Sequence, residues 1–222
     1  MAKIREYQGG DITVQYDVKR CIHAKACVHG LPAVFNSEAR PWVQPDHAPA
    51  DAVASVIERC PTGALHYQRA DRLTERADAV NSVLLAVNGP LYMRGDVEIV
   101  SHDGGSIVLR DTRVALCRCG SSANKPFCDN THLQNGFTAA DTLESNGHLN
   151  RNAFDSPVLR VTLRTNGPLR VDGTFQLKDQ DGNVIDAGNQ AVLCRCGASA
   201  HKPFCDGTHQ AINFTTEPDP AL

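Results

Sequence analysis

The chain has 222 residues and a formal net charge of −3 at pH 7. A weakly acidic balance argues against a dedicated nucleic-acid-binding protein, which normally presents a basic surface. No apolar run approaches the ~20 residues of a membrane span, and the first residues lack the apolar core of a secretory signal. We therefore expect a cytoplasmic protein in a reducing compartment, where its nine cysteines stay reduced.

The first predicted unit is a small α+β domain over residues 1–70. Alternating apolar residues predict a strand over 12–16. An apolar stripe at helical spacing predicts a helix over 50–59, which a following proline ends. Residues 64–67 predict a short closing strand. The charged stretch 68–78 is predicted to be a linker, with a short helix as the alternative.

The rest of the chain is an internal repeat. Residues 117–132 return as residues 194–209, with thirteen of sixteen positions identical. Upstream, the Asn-Gly-Pro-Leu of residues 88–91 returns at 166–169. Each copy predicts a strand, a Gly-Pro turn, a pair of hairpin strands and then a cysteine-rich loop.

The repeat therefore predicts two β-rich modules, at 79–138 and 156–217. Asp103-Gly-Gly and Asp181-Gly-Asn mark the predicted hairpin turns. A period of this length is too long for a solenoid. We expect the modules to pack about an internal pseudo-twofold axis as a β-sandwich, which makes the whole chain an α+β protein.

The cysteine spacing in the repeat is typical of metal ligands. Cys117 and Cys119 are two residues apart, so on extended backbone their side chains leave the same face. Cys128 and His132 are four apart, so on a helical turn they lie one above the other. Two chelating pairs suit a centre with two iron atoms, one iron for each pair. The second copy supplies the equivalent ligands Cys194, Cys196, Cys205 and His209.

These loops resemble the CDGSH iron-sulfur domain family, the group that includes mitoNEET. Its pattern is C-x-C, then Ser or Thr, then Pro, then C-D-G-(S/A/T)-H. The second loop matches it throughout, whereas the first has Asn130 where the family has Gly. Asn tolerates a positive φ better than other non-glycine residues, so we expect the first site to survive. The resemblance implies a [2Fe-2S] cluster in each loop, held by three Cys and one His. Family members usually pair as dimers, so two copies in one chain imply a monomer with an intramolecular pseudo-dimer.

The implied ligand set predicts redox behaviour. A neutral imidazole in place of one thiolate makes the cluster less negative and raises its reduction potential. Acid should labilise the cluster, because protons compete for the ligating nitrogen. Arg118 and Arg195, each between two cysteines, either offset the negative charge or are solvated surface residues.

The remaining three cysteines form a different pattern. Cys21, Cys27 and the Cys-Pro at Cys60 resemble a divergent single-cluster ferredoxin, with Ala24 at the position of a missing cysteine. Three thiolates fit a [3Fe-4S] cluster. Alternatively, His23 or a solvent molecule completes a [4Fe-4S] cluster.

We found no phosphate loop, nucleophile elbow or paired-carboxylate pattern, so the sequence favours an electron or cluster carrier over an enzyme. The leading hypothesis is electron transfer to a redox partner protein, without nucleic acid or membrane. Cluster storage or transfer to an apo-acceptor protein, or redox sensing, is the alternative. A zinc-binding nucleic-acid module is a remote third hypothesis, because C-x-C is unusual for zinc.

Overall fold

The computed structural model of the chain describes residues 4–102, 105–143 and 149–216. It divides into two compact units, Met1–Arg76 and Ala77–Leu222. Both copies of the repeat belong to the second unit. Among the described residues, no helix has the length and apolar character needed to cross a membrane.

The first unit is a three-stranded antiparallel sheet with two helices. Its strand order is β1-β2-β3, so the central strand pairs on both sides. The elements in chain order are β1 (Ile4–Gln8), β2 (Ile12–Asp17), α1 (Ala26–Gly30), α2 (Ala50–Ile57) and β3 (Leu65–Arg69).

Most predicted elements of this unit form. The strand predicted over 12–16 is β2, whose apolar residues alternate into the core. The helix predicted over 50–59 is α2, and its stripe of Val53, Val56 and Ile57 is buried in that core. The closing strand begins at Leu65 and extends into the predicted linker. Strand β1 was not predicted, because its largely exposed residues carry no apolar alternation.

The second unit contains one six-stranded sheet with three strands from each repeat. The first repeat supplies β4 (Ser82–Leu85), β5 (Leu91–Val100) and β6 (Ile107–Leu116); the second supplies β7 (Leu159–Leu163), β8 (Leu169–Lys178) and β9 (Val184–Leu193). A short helix, α3 (Thr208–Ala211), follows in the second cysteine loop. The turn predicted at Asp181 joins β8 and β9, whereas residues 103–104 of the other predicted turn lie outside the described residues.

The two repeats interleave at the centre of this sheet. The short strands β4 and β7 both lie between the long strands β5 and β8. Each short strand is antiparallel to the long strand of its own repeat and parallel to that of the other repeat. Because apolar residues of both repeats form a single buried cluster, neither module keeps a core of its own.

Each of the two long strands, β5 and β8, contains one glycine at the point where it passes from pairing with one short strand to pairing with the other. Gly95 has a φ of +126° and Gly173 a φ of +111°, and each lies at an irregularity in its hairpin pairing. A Cβ on Gly95 would lie 2.1 Å from the Asn81 side-chain oxygen, and one on Gly173 would lie 2.1 Å from the Val158 carbonyl oxygen. Only glycine therefore fits these positions.

Candidate iron-sulfur centres

The first cysteine loop brings its donors together as two pairs. The sulfurs of Cys117 and Cys119 are 3.7 Å apart. The Cys128 sulfur lies 3.4 Å from Nδ1 of His132. Two metal–ligand bonds of ~2.3 Å at a tetrahedral angle separate their donor atoms by roughly 3.7 Å. Each pair therefore has the spacing of two ligands on one metal atom.

The second loop repeats this geometry. The sulfurs of Cys194 and Cys196 are 3.7 Å apart, and the Cys205 sulfur is 3.4 Å from Nδ1 of His209. Among the described residues, no group of three or more His, Cys, Asp or Glu side chains is arranged to hold one metal ion. All nine cysteines are free thiols. Each loop thus presents its donors as two separate pairs.

Backbone hydrogen bonds fold each loop back on the strand that precedes it. In the first loop, the Cys117 amide donates to the Pro126 carbonyl and the Cys128 amide donates to the Ala115 carbonyl, both at 2.9 Å. The second loop has the equivalent bonds, at 2.8 and 2.9 Å. This antiparallel return sets the C-x-C pair beside the Cys-His pair.

A buried hydroxyl and a carboxylate hold the turn between the pairs. Oγ of Ser122 donates to the Phe127 carbonyl at 2.7 Å. Asp129 accepts from the amides of Ala123 and Thr131 at 2.8 and 3.0 Å. Burial acts to raise the pKa of Asp129, but a hydrogen bond from the Thr131 hydroxyl together with the two amide bonds outweighs it, so the pKa is lowered. The carboxylate is therefore ionised at neutral pH and fixes the turn that carries the histidine.

The residue after this aspartate has a left-handed backbone in both loops. Asn130 has a φ of +71° and Gly207 a φ of +89°. The Asn130 amide donates to the Cys128 sulfur at 3.4 Å. Asn130 thus adopts the conformation that the glycine adopts in the other loop.

The two loops touch each other through their glycines. A Cβ on Gly120 would lie 2.3 Å from the Cys196 carbonyl oxygen, and one on Gly197 would lie 2.5 Å from the Cys119 carbonyl oxygen. Both glycines have positive φ, +79° and +81°. The second cysteine of each loop is therefore packed against the other loop.

The loops differ in burial. Cys119 and Cys128 of the first loop are buried, whereas Cys196 and Cys205 of the second are half-buried. Burial raises the pKa of the Cys128 thiol to about 11 and also raises that of Cys205. The hydrogen bond with Cys117 lowers the pKa of Cys119 to about 6. The closely similar sequences thus present one enclosed site and one more open to solvent.

Both arginines between the cysteines are buried, so the interpretation of them as solvated surface residues is wrong. Arg118 is 1% exposed and Arg195 is 3% exposed. Burial lowers the pKa of Arg118 to about 10, against the opposite effect of the Cys194 thiolate and the Asp141 carboxylate. The Arg118 guanidinium therefore stays charged at neutral pH beside the second loop.

Sequence reasoning assigned no role to Phe137. Its ring centroid lies 6.0 Å from Cζ of Arg118 and 5.9 Å from Nζ of Lys202. The aromatic face thus lies beside one cation from each loop. The signal was present in the sequence, because Phe214 stands five residues after the second histidine as Phe137 does after the first.

The three other cysteines line one cavity of the first unit. Its volume is about 780 Å³, and Cys21, Cys27 and Cys60 lie in its wall together with His23 and Ala24. Burial and the neighbouring Cys60 thiolate raise the pKa of Cys27 to about 11. Thiolates this close repel one another, so each makes the ionisation of the next less favourable. A positively charged metal core would balance their negative charges and so stabilise the ionised form.

The chain around Cys21 is shaped to surround this cavity. His23 and Lys25 have left-handed backbones, with φ of +54° and +61°. Oγ1 of Thr62 lies 3.6 Å from the Cys60 sulfur. Tyr16 lies in the wall of the same cavity as Cys21. Burial and a hydrogen bond with Cys21 raise the pKa of Tyr16.

Comparison with known proteins matches both parts of the chain. A family model described as divergent 4Fe-4S mono-cluster matches residues 7–70. A model described as iron-binding zinc finger, CDGSH type, matches residues 88–133 and again 166–210.

Two relatives match the first part. The uncharacterized proteins YjdI of Escherichia coli K12 and of Escherichia coli O157:H7 are each 39% identical to this chain over 64 residues. That alignment covers 29% of this chain and 84% of each relative. The chain is therefore an iron-sulfur protein in which a divergent 4Fe-4S mono-cluster domain is followed by two modules of the CDGSH iron-binding type.

Proposed function

We propose that the protein is an electron-transfer protein with two [2Fe-2S] clusters and one larger cluster. The observation that carries the proposal is the pairing of donors at 3.4–3.7 Å in both CDGSH loops. A bound [2Fe-2S] cluster supplies a one-electron couple. The ligands of the first cluster are Cys117, Cys119, Cys128 and His132, and those of the second are Cys194, Cys196, Cys205 and His209.

For the first unit we propose a [3Fe-4S] cluster on Cys21, Cys27 and Cys60. Ala24 lies in the wall of the same cavity, at the place of a fourth cysteine, and has no donor atom. A [4Fe-4S] cluster completed by His23 or solvent is the alternative, supported by the family description and by the position of His23 in the wall. An EPR signal from the oxidised protein separates the two cluster types, because an oxidised [3Fe-4S] cluster gives a signal and an oxidised [4Fe-4S] cluster is silent. A His23→Ala variant then tests the histidine ligand, since only the [4Fe-4S] alternative with histidine predicts a changed cluster.

We propose a domain over residues 1–70 and two CDGSH modules, 79–138 and 156–217, which share one core and pack as a β-sandwich about a pseudo-twofold axis. Equivalent strand pairings support the axis. Ser82 pairs with Gln176, and Arg160 pairs with Glu98. Ser82 and Arg160 are equivalent positions of the two repeats, 78 residues apart, and so are Glu98 and Gln176. Exchanging the two repeats therefore converts one pairing into the other. The axis gives each loop the same neighbour within one chain, so we expect a monomer.

Electron transfer fits the exposure of the candidate ligands, because the histidine of each loop is half-buried and so reaches the loop surface. We expect a redox partner protein to approach on the histidine side, and a cytoplasmic location in keeping with nine free thiols. The test is anaerobic reduction followed by mixing with oxidised electron-carrier proteins. Stopped-flow absorbance should show electrons leaving the protein, and failure with every carrier would remove the proposal.

Cluster transfer is a second candidate, favoured by one observation. Cys196 and Cys205 of the second loop are half-buried, which leaves an acceptor a route to the ligands. Mixing the holo-protein with an apo-ferredoxin distinguishes the two functions. Only a cluster donor moves its iron and its absorbance to the acceptor, whereas an electron carrier keeps both.

A further inference from the structure

Arg118 is a buried cation whose hydrogen bonds go to carbonyls rather than to a carboxylate. Nη2 donates to the Ala140 carbonyl at 2.6 Å, and Nη1 approaches the Ala86 carbonyl at 3.4 Å. These bonds fix the guanidinium without neutralising it. Burying a charge is costly unless anions balance it, and the two anions that act on this guanidinium are the Cys194 thiolate of the second loop and the Asp141 carboxylate.

The surroundings of Arg118 point toward the opposite loop. Its guanidinium contacts the Phe137 ring, and the same ring contacts Lys202 of the second loop. Gly120, two residues after Arg118, packs against the Cys196 carbonyl. A residue that lies between two cysteines of the first loop thus belongs spatially to the boundary with the second.

We propose that Arg118 is a positioning residue for the second cluster, and that its fixed positive charge raises that cluster's reduction potential more than the first cluster's. The inference rests on the proposed function, because it requires both loops to hold clusters. Reduction adds a negative charge to a cluster, and a cation at fixed distance stabilises the reduced form. The arginine of one repeat then adjusts the electron affinity of the other.

Arg118→Gln removes the charge and keeps a donor for a carbonyl. At a fixed applied potential, the ratio of reduced to oxidised second cluster should fall about tenfold. For a one-electron couple this corresponds to a fall of about 59 mV in the cluster's reduction potential. The first cluster should change less. Redox titration followed by EPR measures both, in the whole protein and in a His132→Cys background that moves the first cluster to lower potential.

Two further variants separate charge from structure. Arg118→Lys keeps the positive charge, so the reduction potential of its second cluster should be close to that of the unsubstituted protein. This variant still tests the proposal if Arg118→Gln fails to assemble its clusters. Arg113→Gln is the matched control, because Arg113 is equally buried at 1% exposed but stands four residues before Cys117 on β6. It should leave both potentials unchanged.

Every outcome of these titrations either supports or overturns the proposal. A selective fall in the second potential, restored by lysine, supports the proposal. Equal shifts in both clusters, a larger shift in the first, no shift, or no restoration by lysine overturns it. The iron content of the unsubstituted protein tests the proposed function separately, since absent [2Fe-2S] clusters would remove that function before any potential is compared.

Discussion

The two CDGSH loops have nearly the same sequence, the same donor distances and the same left-handed turn, yet they differ in exposure. The first loop buries Cys119 and Cys128, whereas the second leaves Cys196 and Cys205 half-exposed. Local sequence thus sets the ligand geometry, and the surrounding chain sets access to it. Ligand chemistry should therefore be shared by the two sites, while reactivity should differ.

The largest expected effect comes from removing a ligand in either loop. Cys119→Ala should abolish the first cluster and Cys196→Ala the second, because one iron of each cluster loses half of its protein ligands. Each variant should lose about two iron atoms per chain and keep the other cluster. Native mass spectrometry measures this directly. Loss of both clusters in each variant would show that the loops form one site.

The same two variants sharpen the comparison of access. Cys119→Ala keeps only the second cluster and Cys196→Ala keeps only the first. The second cluster should lose iron to a chelator several-fold faster than the first, because its thiols are more exposed to solvent. Absorbance decay after chelator addition gives the two rates. Equal rates, or a faster first site, would contradict a functional difference in burial.

Acid should release clusters from both loops, because protons compete for the histidine ligand. His132→Cys and His209→Cys should each move the midpoint of acid loss of their own cluster to lower pH, leaving the other cluster unchanged. A pH series of the visible absorbance measures the shift. An unchanged midpoint in both variants would indicate that histidine is not a ligand.

The contact between the loops predicts an effect on stability. Gly120→Ala and Gly197→Ala should each destabilise the folded protein by at least ~2 kcal/mol, because the new Cβ overlaps a carbonyl of the other loop at positive φ. Gly182→Ala is the matched control, with a φ of +87° and nothing within 4 Å. Its cost should be only ~1 kcal/mol. Equal losses in thermal melts of all three would argue against the contact.

The smallest expected effect concerns an ion pair of the second repeat. Burial acts to raise the pKa of Asp172, but hydrogen bonds from Arg170 and Gln190 lower it. Asp172→Asn should therefore cost about 0.5 kcal/mol at neutral pH. Since the folded-state pKa is lowered, this difference should persist above pH ~4 and vanish as pH falls through the folded value. Denaturant unfolding at pH 7 and pH 3 tests it, and a constant difference would contradict it.

Part of this structure could be predicted from sequence because the relevant physics is local. Spacing predicted that the donors form two pairs, but the helical turn expected between Cys128 and His132 does not form, because Asn130 is left-handed and the helical turn begins only at Thr131. The left-handed backbone of Asn130 agrees with the expectation that Asn can replace the glycine of the motif. The apolar stripe of α2 and the alternation of β2 also predicted their elements. In each case the deciding contacts lie within a few residues of one another.

The rest depends on contacts between distant segments. The burial of Arg118 follows from the second loop and from the carbonyl of Ala140, neither of which its neighbours in sequence reveal. The interleaving of β4 and β7 likewise follows from pairing across the repeats. Strand β1 was missed because pairing with β2, rather than its own pattern, determines it.

The central claim is that each CDGSH loop holds one [2Fe-2S] cluster and that the first unit holds a third cluster. Anaerobic EPR of oxidised and reduced protein, with iron quantified, tests it most directly. The account predicts about seven iron atoms per chain, a [3Fe-4S] signal when oxidised and two [2Fe-2S] signals on reduction. About eight irons and a silent oxidised sample would replace only the [3Fe-4S] assignment. Stoichiometric zinc, with no [2Fe-2S] signal on reduction, would contradict the claim itself.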